Sequence, residues 1–109
     1  MTQLSFIEVP ARNRPEPGAA TVVRVADASV ALFNVNGHIF AISDFCVRCG
    51  ASLAQGAITG QYVTCRKCGW RYDIFTGRLT ELPALTTDQF EVQVVDSQIL
   101  VATAPLSAH

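Results

Sequence analysis

Four cysteines, arranged as two pairs of the same form, constrain the fold of this 109-residue chain more than any other feature. The pairs read Cys46-Val47-Arg48-Cys49-Gly50 and Cys65-Arg66-Lys67-Cys68-Gly69, so the overall pattern is C-x2-C-x15-C-x2-C. Two residues between cysteines let a tight turn direct both sulfurs to one point, and a following glycine permits the positive φ at which the chain leaves that turn. The spacing therefore predicts one metal centre surrounded by Cys46, Cys49, Cys65 and Cys68.

Other uses of four cysteines fit this pattern less well. Buried thiols that only fill a core would not require two matched turns, each followed by glycine. A redox dithiol of the thioredoxin type has a single pair at the start of a helix, whereas both pairs here lie in turns. Disulfides belong mainly to secreted proteins, and residues 1–8 lack the basic and apolar regions of a signal peptide. We therefore expect a cytoplasmic, reducing location.

Composition limits the classes of protein that this chain can represent. Hydrophobic residues make up 50% of the chain and charged residues 16%, which excludes a disordered chain, and no apolar run approaches the roughly 18 residues of a membrane span. The formal net charge of −1 gives no support for nucleic acid or an anionic membrane as partner. We expect a single globular domain over residues 1–109 that binds neither.

Turn signals and β-branched residues predict an all-β sandwich or small barrel. Asn36-Gly37 tolerates positive φ at both central positions of a type I′ turn, which predicts a hairpin of strands 29–35 and 38–42. Residues 103–109 are predicted to be a loose tail. The remaining candidate strands are 4–9, 21–25, 61–64, 70–75, 90–95 and 98–102.

Basic residues collect around the cysteines. Five of the eight Lys and Arg residues lie between positions 48 and 78, where Asp73 is the only acid: Arg48, Arg66, Lys67, Arg71 and Arg78. Two interpretations stay open, since such residues can form an ordinary solvated face or can offset thiolate charge and steer an acidic partner. Trp70 and Tyr72 are expected to pack against or shield the site, whereas His38 and His109 do not have the spacing of metal ligands.

Residues 46–77 resemble the cluster-binding region of Rieske-type proteins, which reads C-x-H-x-G-A-x-L, then C-x-x-H-G-W-x-F-D and a T-G turn. Residues 31–37, Leu82-Pro83-Ala84 and residues 90–101 look like the hairpin, the proline loop over the cluster and the closing hairpin of small Rieske ferredoxins. The resemblance implies a Rieske-like fold with a metal-binding subdomain at about residues 43–84. The matching residues are Gly50-Ala51, Leu53, Gly69-Trp70, Tyr72-Asp73 and Thr76-Gly77.

The ligand positions depart from that family. Arg48, followed by Cys49, stands where the family has its first histidine, and Cys68 stands at the second. Three occupants stay open: a [2Fe–2S] cluster with four cysteine ligands, a single Zn²⁺, or a single iron of the rubredoxin type. In a cluster, two thiolates in place of two imidazoles would lower the reduction potential from roughly −150 to +300 mV toward about −400 mV and remove its pH dependence.

The resemblance implies a carrier that passes electrons from a flavin reductase to an oxygenase, with partners docking near Arg48, Arg66 and Lys67. The alternative is a non-redox Rieske-fold binding module in which Zn(Cys)4 is a structural staple. A stand-alone enzyme is not expected, because no nucleophile–base pair or carboxylate pair is evident outside the cysteines.

Overall fold

The computed structural model describes residues 5–106, which form three antiparallel sheets and two short 3-10 helices. The 3-10 helices are Ala11–Asn13 and Leu53–Gln55. The strands are β1 (Phe6–Glu8), β2 (Ala20–Val25), β3 (Ala28–Val35), β4 (His38–Ser43), β5 (Ala57–Thr59), β6 (Tyr62–Thr64), β7 (Arg71–Asp73), β8 (Gln89–Phe90), β9 (Val92–Val95) and β10 (Gln98–Ala102).

The sheets have the strand orders β2-β3-β4-β8, β1-β10-β9 and β5-β6-β7. All neighbouring strands pair antiparallel, which confirms the predicted all-β class. The third sheet lies within the cysteine-bearing part of the chain, because β6 ends at Thr64 and β7 begins at Arg71. The second cysteine pair is therefore the connection between two hydrogen-bonded strands.

Strand β3 separates two hydrophobic cores. Val30 and Leu32 pack in one core with β8 and β10, through residues such as Phe90 and Ile99. Ala31 and Phe33 face the opposite side and belong to the core that holds the cysteines. Side chains alternate across a strand, so a strand that is apolar at consecutive positions is expected to be covered on both faces. The site is thus built directly against the central strand of the fold.

The Asn36-Gly37 hairpin is confirmed. Val35 pairs with His38, and the two turn residues have φ values of 55° and 90°, as a type I′ turn requires. The side-chain oxygen of Asn34 accepts a hydrogen bond from the Gly37 N–H group at 2.8 Å. This local chemistry holds β3 and β4 in the register that faces Phe33 toward the cysteines.

The strand predicted at 90–95 is wrong in one respect, because it is divided between two sheets. Phe90 is buried and belongs to β8, which pairs with β4, whereas β9 begins at Val92 and pairs with β10. Burial of the Phe90 ring beside β4 draws the chain out of the terminal hairpin at Glu91. The strand predicted at 70–75 is shorter than expected, and β5 was not predicted.

The predicted loose tail is also wrong as far as residue 106. The N–H group of Thr103 donates to the Ser5 carbonyl at 2.8 Å, and that of Leu106 donates to the Gln89 carbonyl at 2.6 Å. These bonds tie the tail to the residue that precedes β1 and to β8. The strand predicted at 4–9 is shorter than expected, because β1 begins at Phe6 and ends at Glu8. Leu4 lies outside the described residues, as do residues 107–109. Across residues 5–106, no helix has the length and apolar character needed to cross a bilayer.

Candidate metal centre

The two cysteine turns have the same backbone hydrogen-bond pattern. In the first knuckle (residues 46–50), Gly50 N–H donates to the Cys46 carbonyl at 2.9 Å, and Cys46 N–H donates to Ala51. In the second knuckle (residues 65–69), Gly69 N–H donates to the Cys65 carbonyl at 3.0 Å, and Cys65 N–H donates to Trp70. Both glycines have positive φ, 78° and 81°, as the sequence predicts. The knuckles are therefore two copies of one local structure.

The knuckles bring their sulfurs together. The Sγ atoms of Cys46 and Cys68 are 3.6 Å apart, and those of Cys49 and Cys65 are 3.5 Å apart. All four Sγ atoms lie within 4.8 Å of one another. Each short distance joins one knuckle to the other, so the two loops interleave their sulfurs around a common point. This arrangement can hold a metal ion that prefers thiolate ligands.

The four cysteines differ in exposure. Cys46 and Cys65, the first cysteine of each knuckle, are 2% and 1% exposed and belong to the core beneath the site. Cys49 and Cys68 are half-buried. The candidate centre consequently has an inner side that is closed by the core and an outer side that approaches the protein surface.

Tyr72 closes the inner side and links the two knuckles. Its ring is fully buried on β7, and its hydroxyl oxygen accepts a hydrogen bond from Val47 N–H at 3.0 Å. The hydroxyl hydrogen is then free to donate to Cys46 Sγ, 3.2 Å away. The sequence predicted that Tyr72 shields the site but missed this polar contact, which depends on the position of β7 against the first knuckle.

Hydrogen bonding affects the protonation of the cysteines. Burial raises the pKa of Cys46, but hydrogen bonds from the Tyr72 hydroxyl and from the backbone of Cys49 and Arg48 outweigh burial and bring the pKa to about 6. A backbone hydrogen bond from Trp70 favours the Cys68 thiolate, whereas burial and the adjacent cysteines raise its pKa to about 12. Burial and the neighbouring Cys46 raise the pKa of Tyr72, which therefore remains a hydrogen-bond donor.

Asp44 anchors the segment that carries the first knuckle. Its buried carboxylate accepts hydrogen bonds from Ser52 Oγ at 2.8 Å and from Ala54 N–H at 2.9 Å. Its backbone accepts from Leu53 N–H and donates to Ser29 on β3. The chain before and after the knuckle is thereby joined at one residue. Sequence reasoning missed Asp44, although an aspartate two residues before a cysteine turn is a plausible turn anchor.

The outer side carries cations and exposed apolar side chains. Phe45 and Val47 are 53% and 49% exposed beside Cys46, and the sequence did not single them out. Arg48 lies over the Trp70 ring, 5.2 Å from its centroid, and Arg66 donates to the side-chain oxygen of Gln55. These partners are uncharged, so the contacts leave the positive charges in place. All five basic residues that the sequence places near the cysteines are exposed: Arg48, Arg66, Lys67, Arg71 and Arg78.

Replacing Tyr72 with Phe should keep the site but change its electronic environment. A donor to Cys46 Sγ stabilises the more negative, reduced state of a bound iron, so its loss should lower the midpoint potential by about 40 to 60 mV, the equivalent of about 1 kcal/mol. Spectroelectrochemistry of the iron-loaded protein measures this shift. Tyr62→Phe, at an exposed position of β6, is the matched control. Equal midpoint potentials for the Tyr72→Phe variant and the parent protein would show that the hydrogen bond from Tyr72 to Cys46 does not affect the reduction potential.

Comparison with known proteins identifies a family match over most of the chain. The sequence model of the Rieske [2Fe-2S] domain matches residues 6–104. The chain is 29% identical over 99 residues to ferredoxin CarAc of Metapseudomonas resinovorans, which covers 89% of this chain and 92% of that protein. The predicted resemblance is thereby confirmed.

Two solved structures share the fold. The ferredoxin of carbazole 1,9a-dioxygenase from Nocardioides aromaticivorans IC177 superposes with a TM-score of 0.82 at 28% identity, covering 90% of this chain and 97% of that chain. A chain from a complex of reduced oxygenase and oxidized ferredoxin in carbazole 1,9a-dioxygenase gives 0.83 at 28% identity, covering 94% and 96%. The chain therefore matches these proteins over almost their whole length.

A Cys2His2 ligand set does not fit these residues. His38 is exposed at the start of β4 and pairs with Val35 at the hairpin, and His109 lies outside the described residues. Within residues 5–106, the group of side chains placed to hold a metal consists of the four cysteines. A metal bound here would meet four thiolates: Cys68 stands where the resemblance expects an imidazole, and Cys49 follows Arg48, which stands at the other such position.

Proposed function

The chain belongs to the Rieske [2Fe-2S] domain family, and we propose that within this family it is a small electron carrier that serves an oxygenase. The observation that carries the proposal is the match, over nearly the full length of both proteins, to stand-alone ferredoxins. One matched chain is described in complex with an oxygenase. We propose a carrier of one domain, with residues 43–84 as its metal-binding part, rather than a stand-alone enzyme.

The four cysteines are proposed to hold an iron centre, which would supply a one-electron couple when bound. The core residues and Tyr72 exclude water from the buried sulfurs of Cys46 and Cys65. Cys49 and Cys68 face outward, so an acceptor that docks on the knuckles would approach the centre closely. A thiolate centre of this kind requires free cysteines, which favours the cytoplasm as its location.

The proposed docking surface is the knuckle face, which consists of Phe45, Val47, Arg48, Arg66 and Lys67. Exposed apolar side chains beside the centre give contact area, and the surrounding cations favour a partner that is acidic around its own redox site. Both the oxygenase and a reductase that supplies electrons would use this surface, because it is where the half-buried cysteines lie. The carrier would then exchange partners between reduction and oxidation.

Removing the cations of the knuckle face should slow electron transfer to the oxygenase. The triple variant Arg48→Ala, Arg66→Ala, Lys67→Ala is expected to lose roughly tenfold in second-order rate at low salt, because electrostatic steering accelerates association. The difference should nearly vanish at 1 M salt, where the screening length is about 3 Å. Stopped-flow oxidation of the reduced carrier by the oxygenase measures both rates.

Two controls separate docking from damage to the site. The double variant Arg66→Ala, Lys67→Ala leaves the Arg48–Trp70 contact intact and should still show most of the loss in electron-transfer rate. A second triple variant, Arg12→Ala, Arg14→Ala and Arg24→Ala, removes the same charge from the chain around β2 and should be close to the parent protein. Unchanged low-salt rates for the knuckle-face variants would refute this docking surface.

A structural zinc site is the second candidate, since four thiolates are also the ligand set of structural Zn²⁺. Zinc has no redox chemistry, so such a protein would work through binding alone. Metal analysis of protein from cells supplied with iron and zinc distinguishes the two. A coloured, iron-containing carrier supports electron transfer, whereas a colourless protein that holds one zinc and resists iron loading supports the binding module.

A further inference from the structure

We infer that the four cysteines hold one tetrahedral metal ion rather than the two irons and two sulfides of a [2Fe–2S] core. The inference rests on the distances between the four sulfurs, which do not depend on the function proposed for the centre. It deepens the proposed function and depends on it only for the choice of iron over zinc. The family name would suggest a two-iron core, and the geometry of this chain disagrees.

A single tetrahedral ion sets a narrow range of sulfur distances. With a metal–sulfur bond of about 2.3 Å, every pair of ligand sulfurs is roughly 3.8 Å apart. The observed distances of 3.6 Å between Cys46 and Cys68 and 3.5 Å between Cys49 and Cys65 are close to that value. The largest separation among the six pairs is bounded by 4.8 Å, so an ion can reach all four sulfurs after small adjustments.

A [2Fe–2S] core requires more space between the thiolates. It consists of two tetrahedra that share the edge formed by the two inorganic sulfides, so sulfurs on different irons are roughly 5.3 Å or 6.5 Å apart at the same bond length. Four of the six pairs must have these longer separations, whichever cysteines are assigned to each iron. None of the six pairs exceeds 4.8 Å. The knuckles would have to move apart to admit the core.

Two contacts oppose that movement because they join the first knuckle to the chain around the second. Tyr72, on the strand that follows the second knuckle, contacts both Cys46 Sγ and Val47 N–H of the first. Arg48 of the first knuckle lies against Trp70, whose carbonyl accepts the Cys65 N–H hydrogen bond. One contact is on the buried side and the other on the outer side. Separation of the knuckles would disrupt both of them.

The equivalence of the knuckles is compatible with a single ion at their common point. Their matching hydrogen bonds present four sulfurs of one chemical type around one point, and thiolates are suitable ligands for Fe and Zn. The outer cations Arg48, Arg66 and Lys67 would lie around a centre of net charge −2 when a divalent ion is bound, since four thiolates contribute −4.

Anaerobic reconstitution tests the inference directly. The full chain is stripped of metal and then supplied with excess Fe²⁺, in parallel with and without inorganic sulfide, before unbound ions are removed. Iron, zinc and acid-labile sulfide are counted per chain, and EPR spectra are recorded for the oxidised and reduced states. We expect one iron and no sulfide under both conditions, with a high-spin ferric signal in the oxidised protein that is lost on reduction.

The other outcomes are distinguishable. Two irons and two sulfides per chain, with an oxidised state silent in EPR and a signal on reduction, would overturn the inference and leave the electron-transfer proposal standing. Protein that keeps one zinc through the stripping step and takes up no iron would support the single-ion geometry and overturn the proposed electron transfer. The count therefore separates the failure of the inference from the failure of the function.

Discussion

Cys65→Ser should leave the purified chain with less than about a tenth of the metal that the parent protein holds. Cys65 is fully buried, and its sulfur lies 3.5 Å from that of Cys49, so the substitution removes one of four converging ligands. A serine hydroxyl is a poor replacement, because it does not ionise at neutral pH and is a harder ligand than a thiolate. Structural thiolate sites bind Zn²⁺ with apparent free energies of about 10 to 16 kcal/mol, so losing one ligand of four should lower the affinity at least about 100-fold.

Metal content and competition with a coloured chelator measure this effect. Thr64→Ser, at the neighbouring position on β6, is the matched control and should keep its metal. Metal binding stabilises the folded state, so the Cys65→Ser variant should also unfold at a lower temperature than the control in the presence of metal. Parent-like affinity and content in Cys65→Ser would show that the four cysteines do not act as one site.

Gly56→Ala should be strongly destabilising, although it adds a single methyl group. Gly56 has an ordinary backbone conformation with a negative φ, so alanine causes no torsional strain there. Its Cβ would instead overlap the carbonyl oxygen of Thr64 and lie 2.9 Å from Cγ2 of Val63. Both contacts are on β6, immediately before Cys65. We expect a loss of about 3 kcal/mol, or roughly 15 °C in Tm, because neither the backbone nor the packed side chain can move freely.

Gly60→Ala separates this steric effect from backbone strain. Gly60 has a φ of +59° but open space around its Cβ position, so alanine there should cost about 1 kcal/mol. Thermal unfolding followed by circular dichroism compares the two variants with the parent protein. Equal losses of stability in the two variants would mean that the close contact between Gly56 and β6 adds nothing to the cost of the substitution.

Local features of the chain could be predicted from sequence because their causes are local. Asn36 and Gly37 determine their own turn, and the two residues within each cysteine pair determine how the sulfurs converge. The fold brings the four cysteines together, as their spacing predicts, and their role as metal ligands stays a prediction. The family resemblance added the Rieske-like fold, which spacing alone does not provide.

Features that depend on distant parts of the chain could not be predicted. The division of the strand at Glu91 arises because Phe90 is buried against β4, and β5 is too short to give a periodic signal. The contact of Tyr72 with Cys46 requires the positions of a strand and a turn 26 residues apart. The role of Gly56 depends on the packing of Thr64, which no local pattern reports.

A redox titration at several pH values tests the central claim, that a four-thiolate iron centre carries electrons in this protein. The account predicts one reversible one-electron couple whose midpoint potential stays constant between about pH 6 and pH 9, because no imidazole ligand titrates there. A midpoint that falls by up to about 59 mV per pH unit would indicate a protonating ligand. Such a fall, or the absence of any reversible couple in the iron-loaded protein, would contradict the account.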